Sequence, residues 1–193
     1  MLRIGLTGNI ASGKSTVAEV WRKMGAKGID VDELAHSLYK PQTGIWRKVV
    51  NAFGPDIVKK DKTINRAVLA ALVFCERKKL RKLERIMYPA IVKELWKQMK
   101  ACKSKVVVAD MAVLFEANAQ KLFNTIVLVK VSRSNQLKRL QEKRKLDNSQ
   151  ARSRINSLAG QSVKAKRADH VLNGDKPLAG LKKSARELFL KIT

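Results

Sequence analysis

A glycine-rich segment close to the start of the chain constrains the fold more than any other feature. Residues 8–15 read GNIASGKS and match G-x-x-x-x-G-K-[ST], the pattern of a phosphate-binding loop. The apolar residues 3–7 before it predict a short strand. Apolar residues at helical spacing predict a helix after it that ends near Gly25; they are Val17, Val20, Trp21 and Met24. Strand, loop and helix thus follow one another in the order that such a loop requires.

The residue types of this loop fit a polyphosphate ligand, although an ordinary glycine-rich turn is the alternative. Gly8 and Gly13 let the backbone curve closely around phosphate oxygens, and the N-terminus of the following helix adds partial positive charge. Lys14 is predicted to contact the β- and γ-phosphates of ATP, and Ser15 to ligate Mg²⁺. The predicted nucleotide-binding residues are Gly8, Asn9, Ile10, Ala11, Ser12, Gly13, Lys14, Ser15 and Thr16.

The chain is strongly basic. Its 193 residues include 41 Lys and Arg against 16 Asp and Glu, a formal net charge of +25, with basic runs at residues 77–82, 138–145 and 164–167. Such a charge favours anionic partners and could hold nucleic acid without sequence specificity. No aromatic-interleaved motif accompanies the runs, so a solvated basic surface is the alternative to a dedicated nucleic-acid site.

Cysteine content and hydropathy argue against secreted and membrane-spanning classes. Cys75 and Cys102 are too few and too far apart for a disulfide framework or a zinc site, and we expect two buried thiols in a reducing cytosol. The longest apolar run, residues 67–75, is too short to span a bilayer, and the N-terminus reads as a strand rather than as a signal peptide. We expect a soluble, cytoplasmic protein that has no membrane partner.

Four further segments predict strands. Continuous β-branched runs at residues 105–109 and 125–131 predict strands that are buried on both faces, as in a parallel sheet covered by helices. Residues 28–32 and 170–172 predict two shorter strands. Alternation of these strands with helical segments predicts a doubly wound α/β fold, whose ligands gather at the C-terminal ends of the strands.

The helical segments lie between and after these strands. They dominate residues 33–102, where Pro89 is predicted at the first position of a helix. Residues 135–145 and 149–158 predict two basic helices, and residues 178–192 predict a closing helix.

Acidic residues close two of the predicted strands. Asp30 and Asp32 end the second strand beside the phosphate loop, where one carboxylate can face the cleft and accept the proton of an attacking hydroxyl. Both acids could instead be solvated, or cap the helix that begins at Glu33. Asp110 ends the run at residues 105–109, either as an acid that holds Mg²⁺ or as an ordinary turn residue.

A basic helix after the fourth strand carries candidate phosphate contacts. Arg139 and Lys143 lie on one face at i, i+4 spacing, and Arg144 lies beside them. A mobile lid could bring these cations over ATP and neutralise charge on the transferred phosphoryl group. Most cations on a basic helix are solvated, which is the alternative.

Motifs along the whole chain resemble those of the dephospho-CoA kinase family. They are IGLTGNIASGKSTVA at residues 4–18, IDVDELA at 29–35, INRAVLAALVF at 64–74, YPAI at 88–91, VLFE at 113–116, QLKRL at 136–140, ARSRI at 151–155 and ADHVLN at 168–173. The phosphate loop alone indicates only a P-loop NTPase. The D-x-D pattern, the LFE segment and the AD-x-V element, in this order and spacing, make the resemblance specific.

The resemblance implies a fold of the α/β class with a P-loop kinase core. We expect a single domain whose core is a five-stranded parallel sheet flanked by helices, formed by residues 1–32, 105–132 and 168–193. A helical substrate-binding lobe is expected at about residues 55–103, and a helical lid at about residues 133–160.

The resemblance also implies the reaction. It is the transfer of the ATP γ-phosphoryl group to the ribose 3′-hydroxyl of dephospho-CoA, the last step of coenzyme A synthesis, with Mg²⁺. Asp32, the second acid of D-x-D, is the implied base, and Lys14 and Arg139 are the other catalytic residues. Lys143 and Arg144 are further nucleotide contacts. The expected Mg²⁺ ligands are Ser15 and Asp110, and the expected substrate-binding residues are Asp30, Arg66, Tyr88, Leu114 and Glu116.

The chain departs from the family pattern at five positions. They are Tyr88 for the His of His-Pro, Ala112 for the Pro of PLLFE, Lys143 for the second lid Arg, His36 for the Arg after D-x-D and Leu158 for a frequent Gln. Lysine cannot reproduce the bidentate grip of arginine on phosphate. Weak activity, another small-molecule or nucleoside kinase, or a nucleic-acid-binding P-loop protein are therefore alternatives. No pattern in the sequence assigns the oligomeric state.

Overall fold

The computed structural model describes residues 1–144, 147–156 and 160–193, without the side chains of residues 143, 144, 149, 150, 153 and 154. The side chains of Lys143 and Arg144, two predicted nucleotide contacts, and all of Leu158 lie outside the described part of the chain. No helix within the described part is both long enough and apolar enough to cross a membrane.

Five parallel strands form the sheet of the described chain. They are β1 (Leu2–Thr7), β2 (Lys27–Asp30), β3 (Val106–Asp110), β4 (Thr125–Lys130) and β5 (His170–Asn173). Their order is β2-β3-β1-β4-β5, and each neighbouring pair runs parallel. The predicted five-stranded parallel sheet is confirmed. Strands β2 and β3 lie on one side of β1, and β4 and β5 lie on the other. The loop after β1 therefore lies at the switch point where ligands bind in such sheets.

Helices flank the strands along the described chain. They are α1 (Lys14–Lys23), α2 (Val31–Ser37), α3 (Gly44–Phe53), α4 (Arg66–Phe74), α5 (Arg77–Ala101), α6 (Arg133–Arg144), α7 (Asn148–Asn156), α8 (Gln161–Ala165) and α9 (Leu178–Ile192). Two short 3₁₀ helices lie at Pro55–Ile57 and Gln120–Leu122. Gly25, with a φ of 98°, follows α1 closely, as the sequence predicted.

The chain divides into two compact units. The first comprises Met1–Asp30 and Ala101–Thr193 and contains the whole sheet. The second comprises Val31–Lys100 and contains α2, α3, α4 and all but the last residue of α5. The substrate-binding lobe expected at about residues 55–103 overlaps the second unit, which begins earlier because α2 and α3 belong to it.

The core of the first unit includes the packing of α1 against α9. Ile4 of β1 is fully buried, as expected for a strand covered on both faces. Trp21 of α1 is also fully buried, and its ring lies 5.9 Å from that of Phe189. Its Nε1 donates to the Ala185 carbonyl oxygen at 2.8 Å. Because an unpaired indole N–H is costly in a core, this bond helps to position α9 against α1.

Helix α5 continues through Pro89. The prediction that Pro89 begins a helix is therefore wrong. Met87, Ile91, Leu95 and Met99 recur every four residues, and all four are buried. Burial of this stripe favours a continuous helix, although an internal proline removes one backbone hydrogen bond and costs about 3 kcal/mol.

Strand β2 ends at Asp30, and α2 begins at Val31. The strand predicted at residues 28–32 is too long, because Asp32 lies in the first turn of α2. The partner strand gives the reason, since Asp30 pairs with Asp110, which is the last residue of β3. The helix dipole stabilises a carboxylate in the first turn of a helix.

The apolar run at residues 67–75 is less buried than its composition suggests. Phe74 is 62% exposed, Cys75 is exposed and Cys102 is half-buried. Both cysteines are free thiols, but the expectation that both are buried is wrong. Only one face of α4, with Leu69 and Val73, is buried, as is usual for a helix at a surface.

Candidate active site

The loop at residues 8–15 has a backbone shape that depends on its two glycines. Gly8 and Gly13 have φ angles of 153° and 100°. A Cβ atom on Gly8 would lie 2.6 Å from the Val129 carbonyl oxygen, and one on Gly13 would lie 2.8 Å from Leu181 Cδ2. Ala11 has a φ of 58°, a conformation that costs a non-glycine residue about 1–2 kcal/mol. Such strain persists only where surrounding contacts hold the backbone.

Helix α1 begins directly after this loop. The backbone N–H groups of Thr16 and Val17 donate to the Gly13 carbonyl oxygen at 3.1 and 3.3 Å. The N–H groups at the very start of a helix have no intrahelical acceptor and point outward. The first turn of α1 contains no acidic residue that would compete for them. Together with the helix dipole, these groups can bind an anion beside the loop.

The Lys14 ammonium lies 3.4 Å from the Asp110 carboxylate. Asp110 ends β3 and pairs in register with Leu6 of β1, so the sheet places it beside the loop. The two side chains are only 16% and 24% exposed, and their attraction is therefore screened less than at an open surface. The structure thus brings together the two residues that the sequence analysis assigned to phosphate and to Mg²⁺.

The oxygen donors beside the loop fit Mg²⁺. Ser15 is exposed at the start of α1, and its hydroxyl and the Asp110 carboxylate are donors of the kind that Mg²⁺ prefers. The described residues include no group of three His, Cys, Asp or Glu that could hold a metal ion by itself. Magnesium sites in nucleotide enzymes usually need only one or two carboxylates together with phosphates and water. The donor set therefore fits a Mg²⁺ ion held jointly with a nucleotide.

Two side chains of helix α6 donate hydrogen bonds to backbone carbonyl groups of the phosphate loop. Gln136 is 1% exposed, and its Nε2 donates to the Ile10 carbonyl oxygen at 2.8 Å. Arg139 donates to the carbonyl oxygens of Ala11 at 3.0 Å and of Gly174 at 2.6 Å. These bonds hold the strained conformation of Ala11. The two bonds from Arg139 use two of the five N–H donors that its guanidinium carries.

A cavity of about 570 Å³ opens beside the loop. Its walls come from the loop, from α6 and from the segment between β5 and α9. Nine of its lining residues were not predicted site residues; they are Asn135, Lys138, Leu140, Glu142, Asp175, Lys176, Pro177, Leu178 and Leu181. A signal was present, because Gly, Asp and Pro cluster directly after the last predicted strand, at the strand end where ligands gather.

Asp175 organises one wall of this cavity. Its carboxylate accepts hydrogen bonds from Asn135 Nδ2 at 2.7 Å, from the Ser132 N–H at 3.0 Å and from the Ser132 hydroxyl at 2.9 Å. Burial opposes ionisation, but the bonds from Asn135 and Ser132 outweigh it and lower the pKa of Asp175 below its usual 3.8. Asp175 is therefore ionised at neutral pH and connects the segment after β5 to the start of α6.

The strand order gives the phosphate loop two different flanks. Strand β3 lies on one side of β1, and β4 and β5 lie on the other. We call the segment after β3, residues 110–116, the Glu116 side. We call α6, the segment after β5 and the cavity between them the cavity side. A ligand at the loop can therefore be approached from two directions.

Two predicted substrate-binding residues of the Glu116 side have different environments. Leu114 is fully buried against Gly5, whose Cβ would come within 2.6 Å of it. Its side chain belongs to the core, so a substrate contact through that side chain does not fit this position. Glu116 is 20% exposed and forms an ion pair with Lys164 at 2.9 Å. The sequence analysis did not single out Lys164.

The remaining predicted residues lie in the second unit or at its boundary. Asp30 closes β2. Asp32 is exposed in the first turn of α2, and Arg66 is exposed at the start of α4. The Tyr88 hydroxyl donates to Glu84 Oε1 at 2.9 Å within α5. Asp32 is an exposed residue, which suits a general base, and the Tyr88 hydroxyl is bonded within its own helix.

Comparisons with known proteins identify the family of this chain. The sequence model of the dephospho-CoA kinase family matches residues 2–179. Dephospho-CoA kinases of Syntrophus aciditrophicus and Geobacillus kaustophilus are 38% and 37% identical, over 92% and 99% of this chain and 77% and 94% of theirs. The solved dephospho-CoA kinase of Campylobacter jejuni has a TM-score of 0.73 at 25% identity, over 98% of this chain and 96% of its own. The chain belongs to the dephospho-CoA kinase family.

Proposed function

We propose that this chain transfers the γ-phosphoryl group of ATP to the ribose 3′-hydroxyl of dephospho-CoA. Membership of the family supports both the kinase class and the substrate. The observation that carries the proposal for the site is the Lys14–Asp110 pair, whose charged groups lie 3.4 Å apart beside the phosphate loop.

The two flanks of the loop support opposite positions for donor and acceptor. Phosphoryl transfer needs the attacking and leaving oxygens roughly in line, so the two substrates approach the transferred group from opposite directions. A cavity of about 570 Å³ on the cavity side is within the usual size range of small-molecule sites. We therefore assign the nucleoside of ATP to the cavity side and the acceptor hydroxyl to the Glu116 side.

Residues around the loop would bind the polyphosphate. Lys14 would contact the β- and γ-phosphates in place of Asp110, and the Asp110 carboxylate and the Ser15 hydroxyl would hold Mg²⁺. Mg²⁺, when bound, neutralises charge on the β- and γ-phosphate oxygens. Arg139 uses one donor to hold Ala11 of the loop and another to hold Gly174, and it would offer the others to phosphate. Lys143 and Arg144 are proposed as further phosphate contacts.

The residues that the family resemblance assigns to dephospho-CoA would supply the acceptor chemistry. Asp32 orients the 3′-hydroxyl and accepts its proton, a role supported by its exposure and by its place in the D-x-D motif. Asp30, Arg66, Tyr88 and Glu116 bind the rest of dephospho-CoA, whereas Leu114 can contribute only through its backbone.

Two properties of the whole chain bear on where and with what the enzyme works. The free thiols of Cys75 and Cys102 support a reducing, cytoplasmic compartment. The net charge of +25 supports weak, nonspecific binding of nucleic acid as a second property. Such binding falls steeply with salt, which distinguishes it from the kinase reaction.

Formation of CoA from ATP and dephospho-CoA at moderate salt, followed by mass, tests the proposed function. We expect saturable conversion that Lys14→Ala abolishes. Lys23→Ala is a matched control, because Lys23 lies on the same helix, is 75% exposed and pairs with Glu19. ATP binding without any CoA would reject dephospho-CoA as the acceptor and favour another hydroxyl compound.

A further inference from the structure

A fully buried lysine lies behind the active site. Lys164, on the short helix α8, has no exposed surface. Its ammonium is 2.8 Å from the Ala112 carbonyl oxygen and 2.9 Å from the Glu116 carboxylate. Burying an ammonium is costly, and a buried ion pair is often no more stable than apolar residues of similar size. Stability alone therefore does not explain why a lysine is buried at this position.

The partners of Lys164 belong to the segment that forms the Glu116 side. The Ala112 carbonyl oxygen also accepts a hydrogen bond from the Thr7 hydroxyl at 3.3 Å, and Thr7 directly precedes the phosphate loop. Glu116 is partly exposed although its Oε2 is buried, and the ion pair that Lys164 forms with its Oε1 holds the position of the side chain. The lysine thus fixes the direction of a carboxylate on the acceptor side of the proposed reaction.

The same helix makes a second connection three residues earlier. Gln161 Nε2 donates to the Val131 carbonyl oxygen at 2.7 Å and to Gln136 Oε1 at 3.2 Å, and Gln161 Oε1 accepts from the Val131 N–H at 2.9 Å. Gln136 in turn donates to the Ile10 carbonyl oxygen of the phosphate loop at 2.8 Å. Gln161 therefore supports the loop from the cavity side through one buried amide.

Positions i and i+3 lie on one face of a helix. On α8 that face directs Gln161 toward the end of β4 and Lys164 toward the segment after β3, which are on opposite sides of β1. The short helix α8 therefore contacts residues on both flanks of the phosphate loop. A displacement of about 1 Å in such supports can reduce turnover by about a hundredfold.

We propose that Gln161 and Lys164 are positioning residues of the phosphoryl transfer, Gln161 for the nucleotide through Gln136 and Lys164 for the acceptor through Glu116. This inference rests on the proposed function. Neither residue is required to touch a substrate, and each acts on a different flank of the loop.

Paired variants test the inference, because each residue is the control for the other. Gln161→Leu and Lys164→Met remove the polar contacts and keep much of the side-chain volume. The measurements are kcat, the KM of each substrate, and calorimetric binding of ADP and of dephospho-CoA, with thermal unfolding recorded for each variant. For Lys164→Met we expect kcat/KM for dephospho-CoA to fall about 10- to 100-fold while the Kd of ADP changes less than about twofold. For Gln161→Leu we expect the Kd of ADP to rise about 5- to 10-fold while dephospho-CoA binding changes little.

A double-variant cycle separates action through Glu116 from a general effect. If Lys164 acts through that carboxylate, Lys164→Met combined with Glu116→Gln is no worse than the more damaging single variant. If Lys164→Met does not fold, Lys164→Arg and Glu116→Gln replace it, since both alter the pair without leaving an unpaired buried carboxylate.

Equal losses for both ligands in both variants, or additive losses in the cycle, would overturn the inference and leave α8 a purely structural element. The failure of the proposed function is distinguishable, because the wild type would then form no CoA. In that case ADP binding still decides the inference, since Gln161→Leu must weaken it and Lys164→Met must not.

Discussion

The two flanks of the phosphate loop are held by different kinds of interaction. On the cavity side, Gln136 and Arg139 donate hydrogen bonds to backbone carbonyl groups of the loop. On the Glu116 side, two lysine–carboxylate pairs, Lys14–Asp110 and Lys164–Glu116, set the arrangement. Hydrogen bonds to the backbone fix the shape of the loop, whereas an ion pair such as Lys14–Asp110 can exchange partners when phosphates arrive. The backbone of the loop is therefore held in place from the cavity side, whereas the ion pair on the Glu116 side can rearrange when an anion binds.

The largest effect should come from a variant that removes the proposed general base and leaves the cavity side intact. Asp32→Asn removes the proposed base but keeps the size of the side chain, so we expect kcat to fall by about 100- to 10,000-fold. ATP binding, measured by calorimetry, should change less than about twofold. Glu33→Gln is the matched control, because Glu33 is also exposed in the first turn of α2. Retention of most of the activity by Asp32→Asn would mean that the base is another residue.

An intermediate effect should follow from breaking the ion pair nearest the loop. Asp110→Asn removes the charge that faces Lys14 and weakens the proposed Mg²⁺ site, and we expect kcat to fall about 10- to 100-fold. The concentration of Mg²⁺ at half-maximal rate should rise as well. A titration of activity against Mg²⁺ measures this, and an unchanged midpoint would remove Asp110 from the proposed metal ligands.

A smaller effect should follow from altering the cavity side. Arg139→Lys keeps the charge but loses the planar fork that reaches Ala11 and Gly174 together, so we expect ADP affinity to fall about tenfold. Dephospho-CoA affinity should stay nearly constant. Arg133→Lys is the control on the same helix, since Arg133 contacts only Asn156 among the bonds described for it. Equal losses of both ligands would contradict the division into two flanks.

Alkaline pH should produce the smallest effect, and it should change only the KM of dephospho-CoA. Burial lowers the pKa of Lys164 below the usual 10.5, although Glu116 opposes the shift. As pH rises, Lys164 therefore loses its proton before an ordinary lysine does, and its pairing with Glu116 weakens. We expect the KM of dephospho-CoA to rise about two- to fivefold above its neutral value before the Kd of ADP changes.

The same titration should not destabilise the fold. Between the lowered pKa and 10.5 the unfolded chain binds more protons at this lysine than the folded chain, so this group raises the free energy of unfolding as pH increases. Lys164→Met should remove the alkaline rise in KM. A parallel loss of ADP affinity in the wild type would show that another group titrates. An alkaline rise in KM that persists in Lys164→Met would show the same.

Strong local patterns predicted most of the fold. The phosphate loop, the continuous β-branched strands and the closing helix Leu178–Ile192 each combine a clear period with a clear boundary residue. Two boundaries were wrong because tertiary contacts decide them. The end of β2 depends on where β3 ends, and the path through Pro89 depends on burial of the stripe that includes Ile91 and Leu95.

The candidate site was less predictable than the fold. The sequence analysis identified the residues of the loop and Asp110, since they follow strands directly. Gln136, Gln161 and Lys164 were missed, because each finds its partner far away in the sequence; Gln136 and Ile10 are 126 positions apart. Lys164 also lies in a basic run, where most lysines are solvated. Only its burial against Glu116 distinguishes it from its neighbours.

The chain path through the two units has a consequence for folding. The first unit is assembled from Met1–Asp30 and Ala101–Thr193. Among the described strands, β1 pairs with β3 and β4, which follow the whole second unit in the sequence. During synthesis the amino-terminal strand therefore emerges long before either of its partners. Val31–Lys100 is continuous and helical, so its contacts are local and form quickly. We expect the helical segment to fold first on the ribosome, while the nucleotide-binding strand waits for its neighbours.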